Sequence, residues 1–134
     1  MPGAIPESHR DLLSDAKRAF AYLATMMKDG SPQVTPVWFD LDGDHIRVNT
    51  ARGRVKDRNM ARRPRVALAI QDPDDMYRYM QIRGTVVASS EEGAADHINH
   101  LAGKYTGKAQ YRELGPGEVR VIYRIRVDAV SAQG

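Results

Sequence analysis

The 134-residue sequence predicts a mainly β fold, an antiparallel barrel of six to seven strands, closed or nearly closed, that carries three short helices. Three observations lead there. From Glu118 to Val130 the chain alternates, with Val119, Val121, Tyr123, Ile125 and Val127 set against Arg120, Ile122, Arg124, Arg126 and Asp128, the period of a half-buried strand. Turn signals at Asp29-Gly30, Asp42-Gly43-Asp44 and Asp72-Pro73-Asp74-Asp75 separate short apolar runs at hairpin spacing. Helical patterning is confined to three short segments. A chain of this length supports one domain over residues 1–134 with a core of its own.

In chain order, Ser8 with Asp11 three residues on, followed by Leu12, Leu13 and Ala16, reads as a capped short helix ending near Lys17. Residues 19–27 are apolar and strand-like, Asp29-Gly30 turns the chain, and Gln33 to Leu41 runs extended, giving a hairpin. From His45 to Thr50 the chain alternates again, with Ile46, Val48 and Thr50 on one face and Arg47 and Asn49 on the other. Gly53 breaks that strand. Val55 to Arg63 has helical composition, and Pro64 stops it because proline pushes the preceding residue out of the helical region. Val66 to Gln71 is a brief buried strand, and Tyr79 to Ser89 is a longer one in which Gly84 marks a bulge. Glu91 to Tyr105 places Ala94, Ala95, Ile98, Leu101 and Ala102 at helical spacing. Residues 106–117 then form a loop before the last strand.

The absence of cysteine removes disulfides, thiolate nucleophiles and sulfur metal sites, and it suits the cytoplasm. No N-terminal segment has signal-peptide character and no run approaches membrane-spanning length, so a soluble protein with no membrane partner is expected. The formal charge is +3, yet residues 49–65, N-T-A-R-G-R-V-K-D-R-N-M-A-R-R-P-R, hold seven basic side chains against one acid, Asp57. Basicity this local points to a single anionic ligand or patch. An anion at the start of the Val55 helix would meet unpaired N–H groups and the positive end of the helix dipole. Thr50, Arg54 and Lys56 would add a hydroxyl and two charges, an arrangement that suits phosphate. On composition alone, a solvated basic helix face explains these residues equally well.

The runs S-P-Q-V-T-P-V-W-F-D (31–40), N-T-A-R-G-R-V-K-D-R-N-M-A-R-R-P-R-V-A-L (49–68) and D-P-D-D-M-Y-R-Y-M-Q-I-R-G (72–84) resemble the pyridoxamine 5'-phosphate oxidase-like superfamily. More narrowly, they resemble its actinobacterial branch that uses the deazaflavin coenzyme F-420. The resemblance runs from about Ala19 to Val130 and implies a split β-barrel of the FMN-binding type. It also implies a homodimer with cofactor grooves between subunits, and an oxidoreductase moving a hydride between F-420 and a small organic acceptor. Arg54, Lys56 and either Asn49 or Thr50 match the positions that grip the cofactor phosphate. Gln33, Thr35, Pro36, Val37 and Trp38 match the strand along the deazaflavin ring, and Tyr79 falls in the segment that closes the pocket. FMN is the alternative cofactor, because the same phosphate grip serves both; the basic helix favours the acidic tail of F-420. In such enzymes the coenzyme carries the chemistry and the protein positions the reactants, so no side chain is assigned as catalytic. Quinones, enones, nitroaromatics and tetrapyrroles are all compatible acceptors at this stage.

Other signals have plainer explanations beside the functional ones. Trp38 and Phe39 lie on a strand, so alternation sends one of them into the core. His97 and His100 are three apart on a helix without an evident third ligand, which reads as a helix face and not a metal site. Ser8, His9 and Asp11 contain the letters of a triad, but neighbours in sequence cannot adopt its geometry. Gly115-Pro116-Gly117 precedes a strand, so it is a turn and not a phosphate loop. Arg120, Arg124 and Arg126 form either a solvated face or a contact with a partner subunit or the coenzyme tail. A small basic barrel binding nucleic acid is the non-enzymatic alternative, weakened by the scarcity of aromatic residues in the basic parts.

Overall fold

The computed structural model describes residues 4–134. A 3₁₀ helix (Glu7–Leu13) leads into β1 (Ala21–Met26), β2 (Pro32–Val37), β3 (Phe39–Asp42), β4 (His45–Ala51), α1 (Val55–Arg62), β5 (Arg65–Asp72), β6 (Asp75–Ser90), α2 (Ala94–Thr106) and β7 (Arg120–Gln133). The strands pair antiparallel in one sheet of order β2-β1-β5-β6-β7-β4-β3. That order forces the sheet to curl. Its two edge strands, β2 and β3, are separated in sequence by Trp38 alone. A flat seven-stranded sheet would hold its edges roughly 29 Å apart, whereas the chain from Val37 to Phe39 reaches about 7 Å. The result is a curled half-barrel whose seam lies at Trp38.

Inside the curl, alternate residues of each strand form one core: Leu23 on β1, Leu68 and Ile70 on β5, Met80 and Ile82 on β6, Val121, Tyr123 and Ile125 on β7, Ile46 and Val48 on β4. Leu12 and Leu13 of the 3₁₀ helix join it. Burial of each such side chain contributes about 1.5–3 kcal/mol. α2 packs on the outer face of β7 and β4. Among the described residues no helix is long and apolar enough to cross a membrane.

Two expectations need correction. The N-terminal helix is 3₁₀, starts after Pro6 and ends at Leu13, well before Lys17; Ser8 does not cap it. Ser8 Oγ instead donates to His9 Nδ1 at 2.8 Å, while Asp11 pairs with Arg78 across to β6. The single strand expected over 33–41 is two strands, because the chain passes from one edge of the sheet to the other at Trp38. The remaining boundaries lie within a few residues of those expected.

Gly84 sits at an irregularity in the β6–β7 register, between Arg83 and Gly84, with a second between Val86 and Ala88. On the other edge of β6 the Val86 amide donates to Pro64 O at 2.8 Å, which continues the β5–β6 pairing and ties the end of α1 to β6. At Gly84 the strands approach too closely for a side chain: a Cβ would stand 2.6 Å from Ile125 Cγ2 and 2.7 Å from Arg126 O. Gly84→Ala is therefore expected to destabilise the fold by about 1–3 kcal/mol, read as a lower urea midpoint at unchanged slope. An unchanged midpoint would mean that the strands part freely at this point.

Candidate functional site

Asp57, the one acid of the basic run, is buried. A buried carboxylate requires hydrogen-bond donors, and Asp57 has three. Its Oδ2 accepts from the Gly53 amide at 2.9 Å, and its Oδ1 accepts from Arg52 Nη1 at 3.0 Å and from the Tyr123 hydroxyl at 2.6 Å. Burial pushes its pKa up; Tyr123, the Gly53 amide and Arg52 together outweigh burial and hold it below the ordinary value. Gly53 has φ +92°, a left-handed conformation that glycine adopts without strain. Through these contacts the turn before α1 and the first turn of α1 are tied to β7. The far side of α1 is fixed to β1, where Asn59 Nδ2 donates to Thr25 Oγ1 at 3.0 Å and Arg63 Nε donates to Met26 O at 2.7 Å.

Held this way, the start of α1 presents Arg54 at the N-cap and Lys56 in the first turn. Lys56 is half-buried, and its Nζ donates to Thr35 Oγ1 of β2 at 3.3 Å. Burial lowers its pKa, and the positive charges of Arg54 and Arg120 lower it further. The ion pairs of the basic run belong to Arg52, which meets Asp57 at 3.0 Å and Glu91 at 2.8 Å. Among the described residues, Arg54 and Lys56 meet no carboxylate. A partly desolvated ammonium beside two guanidinium groups and a hydroxyl, at a helix start whose first amides lack helical partners, fits a phosphate or carboxylate ligand.

The other residues singled out in the sequence are distributed around this point. Val37 is buried, Gln33 turns inward with its Oε1 accepting from Thr25 Oγ1 at 3.1 Å, and Pro36 lies on the outer face opposite Tyr22. Thr50 is fully buried and its Oγ1 has no hydrogen-bond partner. Asn49 is committed to α2 and β7: its Nδ2 reaches Ala94 O at 2.9 Å and His97 Nδ1 at 3.0 Å, and its Oδ1 accepts from Arg120 Nε at 2.9 Å. Tyr79 lies on β6, three strands from β2, in register with Gln71 and Gln133. One copy of the chain does not bring it to Lys56.

Under α2 lies a polar network absent from the sequence reading. His97 Nε2 donates to Asp40 Oδ1 at 3.0 Å, and Arg47 binds the same carboxylate through Nε at 2.9 Å and Nη2 at 2.6 Å. Burial raises the Asp40 pKa, but His97 and Arg47 more than offset it and keep the group ionised. Lys104 is buried as well, donating to Phe39 O at 2.7 Å. His97 is thus a structural histidine, and His100 contacts Asp15 at 3.4 Å. The three arginines of β7 do not share one environment. Arg120 is buried and pairs with Glu118 at 3.0 Å, whereas Arg124 pairs with Asp42 and Arg126 with Asp128.

The seam residue Trp38 stacks on Tyr105, with ring centroids 5.2 Å apart, and meets Tyr111 edge-on at 6.0 Å. The Tyr105 hydroxyl donates to Ala19 O at 2.7 Å, so α2 closes over the seam. Of the two aromatic residues on this stretch, Phe39 is the one in the core.

Residues 5–134 match the family model described as pyridoxamine 5'-phosphate oxidase, and the chain belongs to that family of oxidoreductases. It is similar in structure to an F-420 reductase, with 32% sequence identity, a TM-score of 0.82, and coverage of 95% of this chain and 98% of that one. It also shares its fold with a conserved hypothetical protein of Mycobacterium tuberculosis (21% identity, TM-score 0.71, 98% of this chain and 86% of that one). HupZ of Group A Streptococcus is a further fold relative (20% identity, TM-score 0.66, 96% and 94% of the two chains).

If Asp57 anchors the site, removing one of its donors should loosen it. Tyr123→Phe is expected to cost about 1–3 kcal/mol of stability and to raise amide hydrogen exchange in residues 52–58, since Tyr123 also donates to Asp57 from β7. Loss of stability without faster exchange in that segment would show that the anchor lies elsewhere.

Proposed function

We propose that this chain is an oxidoreductase that binds the deazaflavin coenzyme F-420 and transfers a hydride between it and a small organic acceptor. The observation that carries this reading is Lys56, half-buried against Thr35 among positive charges and without a carboxylate. The likeness to an F-420 reductase at 32% identity supports the choice of coenzyme. In this reading Arg54, Lys56 and the first amides of α1 hold the coenzyme's phosphodiester, with Arg54 offering a fork and Lys56 a point charge. Gln33, Thr35, Pro36, Val37 and Trp38 border the ring. When bound, the coenzyme supplies or accepts the hydride; the chain's own groups orient it and exclude water. FMN is the second reading, because the phosphate grip makes the same contacts with it.

Nucleic acid is a poorer fit to the basic run. Arg52 is neutralised by Asp57 and Glu91, Arg63 is turned back onto Met26 O, and the run 49–65 holds no aromatic residue on which a base could stack.

We also infer a homodimer. The outer face of β2, β1 and β5 carries Val34, Ala24 and Ala67 in one cross-strand row and Pro36, Tyr22 and Ala69 in the next. Val34 is 64% exposed, Phe20 40% and Tyr22 39%, a contiguous apolar face of the kind that marks an interface. In such a dimer the Tyr79 of the second copy is the one available to close the groove. Sedimentation velocity is expected to show a dimer, and Val34→Glu a shift to monomer without loss of fold; a monomeric parent protein would remove the inference.

The coenzyme reading is tested by titrating the protein with F-420 and, separately, FMN, followed by fluorescence. Lys56→Ala and Arg54→Ala are each expected to weaken F-420 binding about 10- to 100-fold. Because the Lys56 pKa is lowered, ligand-free Lys56 loses its proton below the usual lysine range, so affinity should fall with rising pH earlier than an ordinary lysine would give. Tighter binding of FMN would transfer the site to that cofactor, and indifference of both ligands to the two substitutions would sink the phosphate grip.

A further inference from the structure

A cavity of about 770 Å³ lies between the end of α2 and the loop that follows it. Trp38, Ala102, Thr106, Lys108, Tyr111 and Arg112 line it, and none of its lining residues is acidic. One face of the Trp38 indole is covered by Tyr105, which is near parallel at 13°, while Trp38 itself borders the cavity and Tyr105 does not. Tyr111 stands edge-on to Trp38, at 82°, and forms a second aromatic wall. The loop is held in place rather than loose. The Tyr111 amide donates to Asn99 Oδ1 at 2.8 Å, and Glu118 binds Arg112 at 2.8 Å, Arg120 at 3.0 Å and the Gly115 amide at 3.1 Å.

The charges around this cavity are unequal. Glu118 is shared by Arg112 and Arg120, and Lys108 makes no ion pair among the described residues, which leaves three cations against one carboxylate. Trp38 is the residue that this cavity shares with the proposed coenzyme site. Arg120 places its Cζ 5.2 Å from the Tyr111 ring centroid and is one of the charges acting on Lys56.

We propose that this cavity is the acceptor subsite, and that the acceptor class is a planar conjugated anion, stacked on Trp38 with its carboxylate or sulfonate held by Lys108. The proposal rests on the coenzyme reading above. An indole face and a phenol edge select a flat π-system, and an unpaired lysine in a cavity without acids selects negative charge. In the reaction the acceptor gains a hydride from the reduced coenzyme and a proton from solvent, and the coenzyme leaves in its oxidised form.

Trp38 is the sole tryptophan of the chain, so its fluorescence reports on the cavity directly and without coenzyme. The probe is anthraquinone-2-sulfonate, with 2-hydroxymethylanthraquinone as neutral analogue and cyclohexanesulfonate as non-planar anion; free N-acetyltryptophanamide corrects for absorption by the quinones. Saturable quenching by the planar anion is expected, about tenfold weaker for the neutral analogue and for Lys108→Ala, and absent for cyclohexanesulfonate. In the coenzyme-loaded protein, Lys108→Ala should raise the KM for anthraquinone-2-sulfonate about tenfold while F-420 affinity stays unchanged. Quenching that is linear in concentration, or insensitive to Lys108→Ala, overturns the proposal whatever F-420 does. Saturable, Lys108-dependent quenching in a protein that fails to bind F-420 keeps the ligand class and overturns both the acceptor role and the coenzyme reading.

Discussion

The arrangement of the basic end of this barrel depends on one buried carboxylate. Asp57 is surrounded in sequence by arginine and lysine, yet its partners are chosen by architecture: a backbone amide, one arginine and a core tyrosine. Taking a carboxylate out of water is costly unless every oxygen finds donors. Meeting that requirement fixes the left-handed turn at Gly53, the direction of α1 and the distance of α1 from β7. Arg54 and Lys56 stand at the helix start that these contacts hold. The charge balance has a second consequence. With Asp57 and Glu91 both engaged by Arg52, Arg54 and Lys56 meet no carboxylate among the described residues.

The second constraint is topological. A single residue joins the two edges of the sheet, so whatever occupies position 38 lies on the seam and is bordered by both edge strands. A large aromatic residue there needs a partner to cover it, and α2 supplies Tyr105, whose hydroxyl is satisfied by Ala19 O. The His97–Asp40–Arg47 network and Lys104 secure α2 against β3 and β4 through side-chain hydrogen bonds. The seam, the helix over it and the loop after it therefore form one unit, and the aromatic cavity is a product of closing the barrel.

Much of this was legible in the sequence because it depends on local pattern. Period-two alternation located β4 and β7, a short apolar run located β5, the Asp-Gly turns located the hairpins, Pro64 ended α1, and Gly84 marked the bulge. The local surplus of basic residues at a helix start drew attention to Arg54 and Lys56, and the family resemblance matched the same two residues to a phosphate grip. What escaped was non-local. The break at Trp38 follows from strand order across the whole sheet, and alternation on either side of it looks continuous. Ser8 and Asp11 have the composition of a cap, but Pro6 begins the turn and Asp11 finds a stronger partner in Arg78, 67 residues away. Arg120 was left open between a solvated face and a contact with a partner subunit or the coenzyme tail, and its burial under α2 was not among the readings because the sequence does not say which strand face α2 covers. Tyr123 was placed in the core by its period, and its hydroxyl was the available clue: a buried phenol needs a partner, and the lone acid of the neighbouring basic run was the candidate.

Arg120 also links the two halves of the site physically. Its guanidinium is bonded to Asn49 and Glu118, so it cannot move toward a ligand without breaking buried hydrogen bonds. A fixed cation of this kind adds to the potential at Lys56 and at the Tyr111 cavity alike. Neither region can then be charged independently: an anion bound near Lys56 reduces the positive field felt in the aromatic cavity, and an anion in the cavity offsets the repulsion that adds to burial in lowering the Lys56 pKa. The interaction has the same sign from both directions, as linkage requires. Two anions compete for one field, so the second binds against a weakened attraction, and release of either one is helped by the presence of the other. That coupling follows from the two hydrogen bonds, to Asn49 and Glu118, that hold the Arg120 guanidinium in place.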